Sequence, residues 1–228
     1  MCGRYGLWVQ PDDLEQRFDA ELTFEYEPRY NIAPEGPGIA AVRNKAADEI
    51  DRLRWGLLPS WVDDADEFPD LINARAESVA EKPSFRDAFE QRRCLLPASS
   101  FYEWTDRRGR SVPYCIGPTD QDVFAMAGLW ETWSSNGEIV RTAAIITTEA
   151  NDAVADIHHR MPVILDPDEE TRWLEAEPTE ALDSLLRPYP AERMDAYEVS
   201  PAVNDATNDS PGLIDPVGGE QSGLGEFS

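Results

Sequence analysis

The second residue of the chain is a cysteine, Cys2, and removal of Met1 would give it two nucleophilic groups. An α-amine titrates near ~7.7–8.0 and the thiolate is the nucleophilic form of a cysteine, so both groups are partly reactive near neutral pH. The amine can condense with an aldehyde to an imine, and the thiol can then close onto the same carbon as a five-membered thiazolidine. A cysteine at this position could also be an accident of the start codon.

Polar residues stand inside apolar surroundings at three further places. In residues 71–77, a polar run directly follows apolar residues, and in residues 100–104 Glu103 lies among aromatic residues. The third place is the segment of His158 and His159, the only two histidines of the chain. If Glu103 is buried, its pKa rises and suits it to proton transfer, whereas on an alternating strand it could face solvent. A lone histidine is more often a satisfied structural group than a catalyst. Two adjacent histidines without a cysteine pair do not make a zinc site, so we expect no metal.

The composition of the chain is strongly acidic. Its 228 residues carry a formal charge of −25, from 45 acidic against 20 basic residues. An acidic surface poor in lysine is typical of proteins in concentrated salt, where screening removes self-repulsion, and we predict a halophilic source. No apolar stretch approaches the ~18 residues of a membrane span, and no signal peptide is visible. Three scattered cysteines make no disulfide framework, so we expect a cytoplasmic protein with no membrane contact.

The scarcity of lysine also limits the chemistry that is available. An imine with an aldehyde normally uses a lysine or an α-amine. The chain has only two lysines, Lys45 and Lys82, and neither lies in a polar segment described above. The α-amine of Cys2 is the group that remains.

The pattern of the chain predicts one domain with many short strands and few helices. Runs rich in β-branched and aromatic residues predict strands at 39–42, 53–57, 94–97, 100–104, 114–116, 123–130, 143–147 and 163–165. Their short spacings predict a mostly antiparallel, curved sheet or barrel. Helices are predicted at 11–18, 84–91, 167–174 and 179–186, the third because Asp166 is a suitable N-cap before a proline. The domain spans 1–217, and 218–228 are expected to form a disordered tail.

Taken together, these segments resemble the SRAP family, the SOS response-associated peptidases or abasic-site processing proteins. The resemblance covers nearly the whole chain in the family's order. Its segments are 2–5 (CGRY), 29–34 (RYNIAP), 55–61 (WGLLPSW), 73–77 (NARAE), 101–104 (FYEW), 146–147 (IT), 158 with 160–162 (H and RMP), and 199–200 with 203–204 (VS and VN). The expected fold is therefore a single α+β SRAP domain, with a mostly antiparallel curved or barrel-like core and flanking helices.

The resemblance implies a protein that recognises abasic sites in single-stranded DNA and crosslinks to them through Cys2. Asn73 then matches the group that orients the amine of Cys2. Glu103 matches the acid/base that assists sugar ring opening and reversal of the crosslink, and His158 matches the proton donor to the sugar. The further residues expected at the DNA are Gly3, Arg4, Trp61, Arg75, Arg86, Trp104, Thr147 and Arg160, the arginines as phosphate contacts and the tryptophans as stacking groups.

Two other classes of protein stay open at this point. Glutaminase domains also begin with a catalytic cysteine followed by glycine, so Cys2 could serve an acyl-transfer hydrolase or an autoprocessing peptidase. A reader that binds single-stranded DNA without covalent chemistry is the second class, and Cys2→Ala separates it because a reader keeps its affinity. Our primary expectation is a monomer without a cofactor that shields abasic sites during the DNA damage response, with lyase activity left open.

Overall fold

The computed structural model describes residues 2–34, 36–42, 49–135, 137–175 and 180–218. The strands are β1 (Tyr5–Leu7), β2 (Glu21–Leu22), β3 (Arg29–Ile32), β4 (Ile39–Val42), β5 (Glu49–Trp55), β6 (Asn73–Arg75), β7 (Arg93–Ala98), β8 (Ser100–Arg107), β9 (Arg110–Pro118), β10 (Phe124–Ser135), β11 (Glu138–Glu149), β12 (Arg160–Pro162), β13 (Ile164–Leu165) and β14 (Met194–Glu198). The α-helices are α1 (Pro11–Phe18), α2 (Arg86–Gln91), α3 (Pro167–Glu175) and α4 (Glu180–Asp183). Short 3-10 helices lie at Ala76–Ser78, Ala191–Arg193, Pro201–Asn204 and Pro211–Ile214.

Five strands close into a barrel. Strand β10 lies between β7 and β11, β4 joins β7 to β5, and β5 pairs in parallel with β11 to complete the ring. The barrel is otherwise antiparallel, and its inward side chains belong to one continuous hydrophobic cluster. Helix α3 packs against β7 and β10. The expected α+β domain with a curved, barrel-like core and few helices is confirmed.

A second sheet carries the N-terminal strand to the barrel. Its order is β14-β9-β8-β1-β3, and every pairing in it is antiparallel. The chain passes from β7 in the barrel to β8 in this sheet through the single residue Ser99, so the two sheets are directly connected. Strands β8 and β9 form a hairpin whose two loop residues, Arg108 and Gly109, have φ of 56° and 76°. Positive φ at both positions is the signature of a type I′ turn, which matches the twist of the strands.

The last part of β11 leaves the barrel and is flanked on both sides by short strands. On one side Ile145, Ile146 and Thr147 pair in parallel with β6. On the other side, residues 147–149 pair antiparallel with β12. Thr147 therefore lies between the strand that carries Asn73 and the strand that begins at Arg160.

The predicted helices are present, with corrected ends. Helix α1 has the predicted bounds, while α2 begins at Arg86, two residues later than predicted. Helix α3 begins at Pro167, but the carboxylate of Asp166 bonds Arg193 at 2.9 Å, and the helix start is closed by Glu169, which accepts from the Asp166 N–H at 3.2 Å. Helix α4 ends at Asp183, before the predicted residue 186. No helix in the described ranges is long and apolar enough to cross a membrane.

The predicted strands are also present, but most are parts of longer ones. Strand β5 ends at Trp55, because the φ of +129° at Gly56 takes the backbone out of the extended region. A side chain at position 56 would also approach Asp70 to 2.9 Å, so glycine is needed there. The strands β1, β2, β3, β6, β12 and β14 have no counterpart among the predicted ones. They are two to five residues long, and, apart from β12, which pairs with the neighbouring β11, their partners are distant in sequence. The predicted tail, except for Gly218, and Lys45 lie outside the described residues.

Candidate active site

Cys2 leads into β1 and is fully buried. Its carbonyl oxygen accepts a hydrogen bond from Asn73 Nδ2 at 2.9 Å. Two residues further on, the Arg4 carbonyl accepts from the Tyr102 N–H at 2.9 Å, and this bond fixes the N-terminal segment against β8. Burial raises the pKa of the Cys2 thiol above its usual range, and the nearby carboxylate of Glu103 raises it further. A thiol in this environment is disfavoured as a thiolate, so its reaction needs a base.

Glu103 lies in β8 and points into the protein rather than into solvent. Glu103 is only 3 % exposed. Burial raises the pKa of Glu103 to about 7. A carboxyl group with this pKa can both accept and release a proton near neutral pH, which is the property that general acid/base chemistry needs.

His158 follows a turn and is half-buried beside Glu103. Its Nδ1 lies 3.7 Å from Glu103 Oε1, and 3.1 Å from both the N–H and the C=O of Arg160. Burial lowers the pKa of the imidazole below its usual value. The ring is therefore mainly neutral at pH 7, and its position is set by the backbone of Arg160.

Asn73 connects the N-terminal segment to β11. Besides the bond from Nδ2 to the carbonyl of Cys2, its Oδ1 is buried and, among the described residues, accepts no hydrogen bond. An acceptor in this condition costs free energy unless a donor reaches it. Arg75 lies two residues further along β6, so it projects from the same face, and it is exposed.

Arg160 is buried and its guanidinium is held by acceptors of the protein itself. Its Nη1 and Nη2 donate to the two carboxylate oxygens of Glu77 at 2.5 and 3.0 Å, and Nη2 also donates to the carbonyl of Thr147 at 2.5 Å. The predicted phosphate contact of Arg160 stays a prediction. Thr147 is buried beneath this pair, next to Arg75 across the strands.

Arg4 is also held by the protein, through a hub at Asn31. Arg4 Nη1 donates to Asn31 Oδ1 at 2.9 Å and to the carbonyl of Val203 at 2.8 Å. Asn31 is fully buried, and its Nδ2 donates to the carbonyls of Val203, Asp205 and Asn208 at 3.3, 3.0 and 2.8 Å. The segment 203–208 is therefore wrapped around one side chain of β3.

Trp104 lies at the edge of this hub. Its Nε1 donates to Asn204 Oδ1 at 2.6 Å, and the guanidinium carbon of Arg4 is 6.0 Å from its ring centre. Trp104 is half-buried, so one part of its ring is accessible beside the Cys2 segment. Gly3 lies between Cys2 and Arg4 in the same segment.

Two of the predicted DNA contacts lie in other segments of the chain, Trp61 after β5 and Arg86 in α2. Trp61 is 57 % exposed and packs edge-on against Phe68 at 5.6 Å, in the loop after β5. Arg86 is exposed at the start of α2, which packs on β7 and β10, and it pairs with its neighbour Asp87 at 3.3 Å. The DNA contacts of Trp61 and Arg86 stay predictions.

The structure thus brings Cys2, Asn73, Glu103 and His158 together from four separate segments. It adds two residues that the sequence analysis did not select, Glu77 and Asn31. Both stand in segments that carry the resemblance, NARAE and RYNIAP, and the signal that could have found them is a polar residue beside apolar ones in these runs.

We expect the Asn31 hub to be important for stability. Asn31→Ala removes three bonds to the carbonyls of residues 203, 205 and 208 and also the buried acceptor of Arg4 Nη1. The loss should lower the free energy of unfolding by about 1–3 kcal/mol in urea titrations. The control is Asn204→Ala, which removes one exposed bond and should change stability by less than about 0.5 kcal/mol. Equal losses in the two variants would contradict the account of the hub.

The fold and the site define a class: a one-domain α+β barrel protein with a buried cysteine at position 2 beside a carboxyl group and an imidazole. The chain belongs to the SOS response associated peptidase (SRAP) family, whose pattern matches residues 1–206. The resemblance found in the sequence is confirmed.

Individual relatives cover nearly the whole chain. The protein is 43 % identical over 222 residues to abasic site processing protein YoaM of Bacillus subtilis, a match that covers 94 % of this chain and 98 % of YoaM. It is 30 % identical over 258 residues to abasic site processing protein HMCES of Xenopus tropicalis, which covers 92 % of this chain and 77 % of HMCES.

Solved structures have the same fold. The crystal structure of a Bacteroides thetaiotaomicron protein superposes with a TM-score of 0.85 at 29 % identity, covering 94 % of this chain and 99 % of that one. A Bordetella bronchiseptica protein superposes with a TM-score of 0.77 at 28 % identity, covering 87 % and 100 %. The matched lengths support one domain as the unit of the fold.

Proposed function

We propose that the protein captures abasic sites in single-stranded DNA by a covalent link through Cys2. The relatives named abasic site processing proteins support the substrate class. The observation that carries the proposal is the buried position of Cys2 near a carboxyl group, Glu103, whose pKa is raised to about 7. Once Met1 is removed, an amine and a buried thiol on one residue, near such a group, suit the trapping of an aldehyde.

The first step is formation of an imine. An abasic sugar is a cyclic hemiacetal, and opening it to the aldehyde removes a proton from the C1′ hydroxyl and adds one to the ring oxygen. Glu103 is the proposed base, and His158 is the proposed donor in its protonated form, which is the minor form of the ring at pH 7. The α-amine of Cys2 then attacks the aldehyde carbon and one water leaves. Asn73 Oδ1, a buried acceptor, would take a hydrogen bond from the amine and orient it.

The second step closes the ring. The thiol of Cys2 adds across the C=N bond, so that sulfur bonds to carbon and the thiol proton ends on nitrogen. Because burial raises the pKa of the thiol, its proton has to be removed as the bond forms, and Glu103 is the nearby group that can take it and pass it on. No oxidant or cofactor is required, and the DNA strand stays intact.

The direct test mixes the purified protein with a single-stranded oligonucleotide that contains one abasic site. We expect a complex that survives denaturation on a gel, and none with an oligonucleotide whose site is a tetrahydrofuran, which has no aldehyde. A complex that forms equally with both would indicate a non-covalent reader. Hydrolysis of glutamine without any DNA adduct would indicate the acyl-transfer class instead.

Crosslinking should also be faster in concentrated salt than in dilute buffer. The charge of −25 repels DNA at low ionic strength, whereas at about 1 M salt the Debye length is ~3 Å. Phosphate contacts weaken under those conditions, but Arg4 and Arg160 already bond protein acceptors, so stacking and the covalent step carry more of the capture.

The measurement is the crosslinking rate from about 0.1 to about 3 M KCl, with folding followed by circular dichroism. A rate that falls steadily with salt, in a protein that stays folded throughout, would contradict both the halophilic source and this account of DNA capture.

A further inference from the structure

Glu77 holds a buried arginine next to the candidate site. It lies in the 3-10 helix Ala76–Ser78, directly after β6, and reaches Arg160 at the start of β12. The Arg160 side chain is 10 % exposed and that of Glu77 is 56 % exposed, so Glu77 is the solvent-facing partner of a desolvated cation. A buried guanidinium without a counter-charge is strongly unfavourable, and the bond to Arg160 lowers the pKa of Glu77 below its usual value.

Arg160 in turn holds the ring of His158. Its N–H and its C=O both lie 3.1 Å from His158 Nδ1. A neutral ring can accept from the N–H, and a protonated ring can donate to the C=O. The same residue therefore satisfies Nδ1 in both protonation states, so the ring does not have to turn when it gains or loses a proton.

The pair also spans two strands that carry site residues. Thr147 of β11 lies between β6 and β12, and its carbonyl accepts from the same Arg160 Nη2 that bonds Glu77. Glu77 thus ties the segment of Asn73 to the segment of His158 across the intervening strand. Without the Glu77 carboxylate, Thr147 is the acceptor that remains for the Arg160 guanidinium among the hydrogen bonds of the described residues.

We propose that Glu77 is a positioning residue, which acts through Arg160 to hold His158 and Asn73 in register around Cys2. The inference rests on the proposed function and adds a residue to it. Glu77 contacts no reacting atom in this account. Its carboxylate neutralises Arg160 inside the protein, so the pair adds no net positive charge to the DNA surface.

The first test compares Glu77→Gln with Glu81→Gln. Glu81 is exposed, lines the same cleft and carries the same charge, which makes it the matched control. We expect Glu77→Gln to slow crosslinking by about 10- to 100-fold, the cost of a small misplacement of catalytic groups. Its affinity for the tetrahydrofuran oligonucleotide should stay within about twofold of wild type, because no DNA contact is removed. Glu81→Gln should crosslink at the wild-type rate.

A second variant guards against a fold defect. Arg160→Lys keeps the charge but loses the two-point contact to Glu77. If Glu77 acts through Arg160, this variant slows crosslinking as Glu77→Gln does, and the double variant is no slower than either single one. Additive losses in the double variant would contradict the inference. So would faster crosslinking or tighter binding by Glu77→Gln, since that would mean that Glu77 competes with a DNA phosphate for Arg160.

An NMR readout separates this inference from the proposed function. The chain has only two histidines, so His159→Gln assigns the imidazole nitrogen signals of His158. We expect the Nδ1 and Nε2 shifts of His158 to change in Glu77→Gln and to stay unchanged in Glu81→Gln. If wild type forms no adduct, the proposed function fails, but the NMR comparison still tests Glu77. Unchanged His158 signals in Glu77→Gln would overturn the inference even if crosslinking occurs.

Discussion

Cys2→Ser should abolish the heat-stable adduct while an imine still forms. Serine keeps the α-amine, so the aldehyde can still condense with it, but its hydroxyl is a far weaker nucleophile than a thiol for closing the ring. The imine should be trapped by borohydride and should hydrolyse on heating when it is not reduced. Retention of Met1 should abolish the heat-stable product, because the nitrogen of Cys2 is then part of a peptide bond and cannot form a thiazolidine with its thiol.

The measurement is a denaturing gel of heated and unheated samples, with and without borohydride. Cys94→Ala is the matched control: Cys94 is also a buried cysteine outside any disulfide of the described residues, and it lies in β7 of the barrel. It should give the wild-type pattern. Adducts of equal heat stability from Cys2→Ser and wild type would mean that no thiazolidine forms.

Glu103→Gln should slow crosslinking by about 10²- to 10⁴-fold, the usual contribution of a positioned acid/base group. Glutamine keeps the shape of the side chain but cannot accept the thiol proton or assist ring opening. His158→Ala should slow formation in the same way, and Glu103→Gln should also slow reversal of the adduct. Time courses of crosslinking, run beside binding to the tetrahydrofuran oligonucleotide, test this. Losses of affinity equal to the losses of rate would assign both residues to recognition.

The same variant has a second, independent signature in stability. The folded pKa of Glu103, about 7, is raised above its ordinary value of 4.5, so the wild type binds an extra proton in the folded state between these values. Its stability therefore falls as pH rises from about 4.5 to about 7, by about 3 kcal/mol in total relative to Glu103→Gln. Urea unfolding of both proteins across this range measures the difference. A constant difference would mean that Glu103 titrates normally.

The sequence predicted the barrel well because its strands are apolar and local. Hairpins such as β10–β11 pair neighbouring segments, and the run at 143–147 is buried on both faces, so composition alone identifies it. Strands β1, β3 and β14 were missed because they are short and their partners are far away in sequence. In β3, for example, the role of the polar residue Asn31 is visible only in the structure, where its side chain is buried.

The candidate site was only partly predictable from the sequence. Cys2 and His158 are unusual by residue type and position, so they can be selected from the chain itself. An alternating strand pattern does not show which face of the strand is buried, so the burial of Glu103 could not be predicted. It becomes clear only when β8 is placed in the second sheet. Arg4 bonds to Asn31, and Arg160 bonds to Glu77. The partners in each pair are far apart in sequence, so no spacing rule could have predicted these bonds.

The most direct test of the central claim is intact-mass analysis of the adduct, followed by peptide mapping. The account predicts a mass equal to the protein without Met1 plus the full-length oligonucleotide minus one water, with the DNA on the N-terminal peptide and both nitrogen and sulfur of Cys2 blocked to alkylation. DNA attached through another residue, a free Cys2 thiol in the heat-stable adduct, or a cleaved strand would contradict it.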